Sequence, residues 1–135
     1  MILLDTDVLV DVALNRRPHS EAASEFLDLI EQGRERASVA WHSLSNLYYI
    51  VRPAHGGDSA RDFIADLTRF VAVAAAGTEA IRYAVELPMA DFEDAMQVAA
   101  ARACGARHIV TRNVDDYQRS PIPALTPAQA LRELV

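Results

Sequence analysis

Asp5, Asp94 and Asp116 are the residues of this 135-residue chain best placed for chemistry, because each stands where an element is expected to begin or end. Asp5 closes the apolar run Ile2-Leu3-Leu4, and Asp94 falls in the first turn of a helix that Asp91 can cap. Thr111, Asn113 and Asp116 follow the run His108-Ile109-Val110. Oxygen ligands meeting in one place are what a hard cation such as Mg²⁺ or Mn²⁺ requires, and crowded carboxylates repel one another unless a cation neutralises them. Each acid also has a plainer use. Asp5 could cap a helix beginning at Thr6, Asp94 could complete an acidic capping box with Asp91, and Asp115 and Asp116 could be turn residues. Capping and ligation are compatible, since a helix start also holds a ligand rigidly.

The elements that must position these acids are readable from apolar spacing. Ile2 to Leu4 suits a buried strand, and Val8, Leu9, Val12 and Ala13 continue at helical spacing as far as Asn15. After Arg16-Arg17-Pro18, Ser20 can cap a helix through Ala23, Phe26, Leu27 and Ile30, ending at Gly33. Ala37 to Trp41 reads as a second strand, and Ser43 can cap a helix through Leu44, Leu47, Tyr48 and Val51, stopped by Pro53. Asp58 or Ser59 starts another helix through Leu67, Phe70 to Val73 is a third strand, and Thr78 opens a helix that Pro88 ends. Asp91 then caps a helix to Cys104 with Gly105 beyond it, and His108 to Thr111 is a further strand. Ala124-Leu125 is a last short strand before Thr126-Pro127 opens the terminal helix. Strands alternating with helices imply an α/β domain: a mainly parallel sheet of four or five strands, helices on both faces, and a ligand site beyond the carboxyl ends of the strands.

Composition bounds the rest. At 51% hydrophobic against 24% charged, the chain can bury a core and is not disordered, and its length suits one domain spanning residues 1–135. The opening Met1-Ile2-Leu3-Leu4-Asp5 lacks the basic leader and long apolar core of a signal peptide, and no stretch nears the ~20 apolar residues of a bilayer span. A cytoplasmic protein is expected, with Cys104 a small reduced core residue. The net charge of −6 weighs against a general polyanion binder. Every cation, however, is arginine, and metal-binding acids lower net charge without lowering phosphate affinity once an ion is bound.

Taken together, Leu3-Leu4-Asp5-Thr6-Asp7-Val8-Leu9, Phe92-Glu93-Asp94-Ala95 and Ile109-Val110-Thr111-Arg112-Asn113 with Asp116-Tyr117 resemble the PIN-domain ribonucleases, in particular the toxins of VapBC-type toxin–antitoxin pairs. The resemblance runs over nearly the whole chain. It implies a three-layer α/β/α PIN-like fold in which Asp5, Asp94, Asn113 and Asp116 surround Mg²⁺ or Mn²⁺, and an RNA substrate. The reaction it implies is hydrolysis of a phosphodiester by metal-activated water, leaving 5′-phosphate and 3′-hydroxyl ends. Asp5, Asp94 and Asp116 would be the metal-binding acids, and Asn113 and Asn46 would orient waters. Arg112 and Thr111 would face the substrate. The implied partners are a small antitoxin that blocks the cleft and a second copy of the chain.

One position departs from the family. Where its members usually carry a glutamate after the second strand, Ser43-Leu44-Ser45-Asn46-Leu47-Tyr48-Tyr49 offers Asn46, which can ligate an ion or its water but brings no charge and cannot act as a general base. Glu93 or Asp91 could supply that charge. A protein that binds RNA or a partner without cutting is therefore a competing reading. A third reading takes Asp5-Thr6-Asp7 as the aspartyl-nucleophile motif of haloacid-dehalogenase-like phosphatases, but those use a cation, commonly lysine, and this chain has no lysine. The four histidines lack the close pairing of a zinc site, and none is assigned to catalysis. Trp41, Tyr48 and Tyr49 read as packing, while Arg16, Arg17, Arg52, Arg112 and Arg119 flank the acid-bearing segments and are candidate phosphate contacts.

Overall fold

Strands of only two or three residues, the three central ones largely buried between helices, set the geometry of this protein. The computed structural model describes residues 1–135. Its elements in chain order are β1 (Ile2–Leu4), α1 (Thr6–Ala13), α2 (His19–Glu31), β2 (Ala37–Val39), α3 (Trp41–His55), α4 (Gly57–Leu67) and β3 (Ala72–Val73). They continue with α5 (Thr78–Glu86), α6 (Phe92–Ala103), β4 (His108–Val110), a 3₁₀ turn (Val114–Tyr117), β5 (Ala124–Leu125) and α7 (Pro127–Glu133). All four strand pairings are parallel, in the order β3-β2-β1-β4-β5. This is the expected α/β/α arrangement with five strands.

Side-chain alternation along β1 divides the core. Ile2 and Leu4 pack with Phe26, Val39, Leu47 and Val110 beneath α1, α2, α3, α4 and α7, whereas Leu3 packs with Val98 and Ile109 beneath α6. Ala84 joins α5 to α6 through Ala95 and Ala99. Burial on both faces explains why these strands read as unbroken apolar runs rather than alternating ones. Strand order reverses at β1, which has β2 on one side and β4 on the other, so the carboxyl ends of these three strands open one crevice.

Several expected boundaries move. Trp41 is not in the second strand but begins α3, with its side chain 78% exposed. Ser43 and Ser20 are not caps: each lies inside its helix, buried, with its hydroxyl bonded to another side chain. Pro53 does not stop α3, because it sits in the last turn, where a missing N–H removes only one ladder bond. Helix α1 ends at Ala13 rather than Asn15, whose φ of 51° places it in the left-handed region, and α4 begins at Gly57. The caps at Asp5, Asp91 and Thr126 stand as expected.

Candidate metal centre

Asp5 leaves β1 at its carboxyl end and caps α1, its Oδ1 accepting from the Thr6 amide at 2.7 Å. Its other oxygen accepts from the hydroxyls of Thr111 and Tyr117, both at 2.9 Å. Tyr117, at the end of the 3₁₀ turn, also reaches Asp94 Oδ1 at 3.3 Å. One hydroxyl therefore spans the two carboxylates that the sequence placed on separate elements, and a single ion with its waters can bridge them. Asp94 is held by α6, whose cap Asp91 accepts from the Asp94 amide at 3.0 Å.

Asp7, in the first turn of α1, completes this side of the crevice. The Arg112 amide donates to both its oxygens at 3.2 Å, Asn113 Nδ2 donates at 2.9 Å, and the Thr111 hydroxyl lies 3.2 Å away. Thr111 carries one hydroxyl proton and lies within reach of both Asp5 and Asp7, so it can satisfy only one of them at a time. The crevice itself is an open cleft of about 450 Å³ lined by Asp5, Asp7, Arg16, Asn46, Tyr49, Glu93, Asp94 and Asn113 among others.

Electrostatics mark the cluster as crowded. Burial, followed by the charge of Asp7, raises the Asp5 carboxyl well above its ordinary value, and burial also raises Asp7. Asp94 is pushed up to about 7 by burial and then by Asp91, Asp5, Glu93 and Asp116. Burial and the neighbouring Asp5 and Asp94 charges push the Tyr117 hydroxyl upward, so it remains a donor. Glu93 behaves oppositely: burial works to raise it, but hydrogen bonds from His42 and Gln97 hold it below the usual range. The donor set consists of hard oxygens, and carboxylate oxygens of Asp91, Glu93 and Asp94 all lie within 4.8 Å of one another. Such a set fits Mg²⁺ or Mn²⁺ and offers nothing to a soft metal.

The remaining expected site residues divide. Asn46 and Asn113 line the cleft. Asp116 instead lines an adjoining hollow of about 320 Å³ with Asp91, Asp94 and Asp115, so Asp94 forms the wall between the two. Arg112 turns its side chain away, with Nε 3.6 Å from Asp11, and lines a third hollow with His19 and Thr126. Arg16 is the arginine that lines the cleft. Asp7, Tyr117, His42 and Gln97 were given no role in this site by sequence reasoning. The spacing Asp5-Thr6-Asp7 was the available signal for Asp7, while the others act through partners distant in the chain.

The PIN domain family model matches residues 1–115, and the chain belongs to that family. Among solved structures it resembles VapBC2 of Rickettsia felis bound to a promoter DNA fragment, at 18% identity and a TM-score of 0.72 over 93% of this chain and 98% of that one. It also resembles VapBC-1 of nontypeable Haemophilus influenzae, at 17% identity and a TM-score of 0.70, over 95% and 99% of the two chains. A third is VapC20 of Mycobacterium tuberculosis, a toxin that cleaves the sarcin–ricin loop, at 15% identity and a TM-score of 0.64 over 100% and 97%. No curated protein matches in sequence. Membership of the PIN family leaves the phosphatase reading of Asp5-Thr6-Asp7 without support.

Proposed function

We propose that the chain acts as a single domain that hydrolyses RNA phosphodiester bonds internally with Mg²⁺ or Mn²⁺, as the toxin of a toxin–antitoxin pair in the cytoplasm. The observation that carries this reading is the convergence of Asp5 and Asp94 on the Tyr117 hydroxyl at the edge of an open, oxygen-lined cleft. When bound, a divalent ion supplies Lewis acidity to the scissile phosphate and the attacking water. Asp5 and Asp94 hold it, and Asp116 acts from the adjoining hollow on the ion or its water. Asn113 and Asn46 orient waters, while Thr111 keeps Asp5 and Asp7 aligned. Arg16 takes the phosphate contact, because Arg112 is engaged by Asp11 and serves the site through its backbone amide.

An antitoxin that fills the cleft and a second copy of the chain are the proposed partners, supported by the likeness to VapBC structures. A second reading, binding without cutting, is favoured by one observation: the α3 wall of the cleft presents a neutral Asn46. Titrating the purified protein with Mn²⁺ while following labelled RNA separates them. Metal-dependent cutting supports the nuclease, whereas retention of RNA without cutting at saturating Mn²⁺ supports the second reading.

A further inference from the structure

Gln97 is fully buried on α6, 0% exposed, yet it is polar and its Oε1 meets no hydrogen-bond partner. Its Nε2 donates to Ser43 Oγ at 2.7 Å and to Glu93 Oε1 at 3.0 Å, with Thr6 Oγ1 at 3.3 Å. An amide has two hydrogens, and the carboxylate of Glu93 fixes which end of the group faces it. If packing were its only role, an apolar side chain of the same volume would serve better, since it would bury no unmatched acceptor. On the other side of Glu93, His42 Nε2 lies 3.1 Å from the same oxygen. Both partners thus grip Oε1 and neither engages Oε2, on a residue that lines the cleft.

The helices give this grip a direction. Glu93 and Gln97 are four residues apart on α6, and His42 and Asn46 are four apart on α3, so each pair shares one helix face. Asn46 therefore sits one turn beyond the histidine that holds Glu93, and both Asn46 and Glu93 line the same cleft.

We propose that Glu93 supplies from α6 the negative metal ligand that α3 lacks at Asn46, and that Gln97 and His42 are positioning residues that hold it there. This rests on the metal-dependent reading above.

Mn²⁺ binding to the full chain, followed by calorimetry with RNA cleavage measured in parallel, tests the proposal. Glu93→Gln should weaken Mn²⁺ binding, and Gln97→Met and His42→Ala should each weaken it by about 10- to 100-fold, the usual effect of losing a group that orients a ligand. His42 lies partly at the surface, so His42→Ala keeps the test decisive if the buried Gln97→Met variant fails to fold. Moving the charge should compensate: Asn46→Glu placed in the Glu93→Gln protein should restore Mn²⁺ affinity. In that same Glu93→Gln background, His42→Ala should have no further effect, because it acts through Glu93. The proposal is overturned by unchanged Mn²⁺ binding in Glu93→Gln, by failure of Asn46→Glu to restore binding in a folded protein, or by an undiminished effect of His42→Ala without Glu93. Absence of Mn²⁺ binding to the unmodified chain overturns it too, together with the metal-dependent reading. If the binding pattern holds while RNA stays intact, the nuclease assignment fails and the role of Glu93 stands.

Discussion

Tyr117 has one hydroxyl proton and two acids to serve, the buried Asp5 and the half-buried Asp94. Tyr117→Phe removes that donor while leaving the ring in the core, and should lower the stability of the metal-free protein by about 0.5–1.5 kcal/mol, the net worth of one hydrogen bond, since Thr111 still donates to Asp5. Added Mn²⁺ should recover much of the loss by neutralising the same oxygens. Urea denaturation with and without the ion checks this, and identical midpoints for both proteins would show the hydroxyl idle. Asp5→Asn and Asp94→Asn should abolish metal-dependent cleavage with the circular dichroism spectrum retained, whereas acids that only capped helices would cost about 1 kcal/mol and leave cutting intact. Asp5, Asp94, Thr111 and Asn113 were legible in the sequence because each follows an apolar run or opens a helix. Gln97 was not, since a buried glutamine is explained only by Ser43 and Glu93, the first of which lies 54 positions away.

Helix α3 shows where element-scale reading fails. The run Ala37-Ser38-Val39-Ala40-Trp41 is apolar but for Ser38, and nothing local distinguishes a strand residue from the exposed tryptophan that opens the next helix. Ser43 looks like a cap, but Thr6 and Gln97 draw its hydroxyl into the interior. The terminal helix is the opposite case. Thr126 and Gln129 bond each other's backbone amides at 3.1 and 2.8 Å, a capping box written within four residues with Pro127 at the first helical position. Thr126→Ala should therefore destabilise the fold by about 1 kcal/mol while RNA cleavage per folded molecule is unchanged. Chemical denaturation beside an RNA assay reads both quantities, and a fall in cleavage by the folded fraction would tie α7 to the site.

At the scale of the whole molecule, the raised acids link stability to pH. Asp5, Asp7 and Asp94 bind protons more tightly folded than unfolded, so the metal-free protein should lose stability as pH rises from the ordinary carboxylate range to about 7. Glu93 and Glu35 are shifted the other way and matter only below that range. Carboxylates ligate a cation when deprotonated, so Mn²⁺ should stabilise more at about pH 8 than at about pH 5 and flatten or reverse the trend. Thermal melts across pH, with and without the ion, test this; a metal-free protein whose melting temperature climbs steadily with pH would contradict it. The pairing of β1 with β4 carries a different consequence. Ile2 lies beside His108, and Thr111 and Tyr117 reach back 106 and 112 residues to Asp5, so earlier and later segments of a chain under synthesis build the cleft together. A nascent chain carrying Asp5, Asp7, Glu93 and Asp94 still has no assembled centre until the last strands have emerged. The order of translation itself thus delays the assembly of the centre.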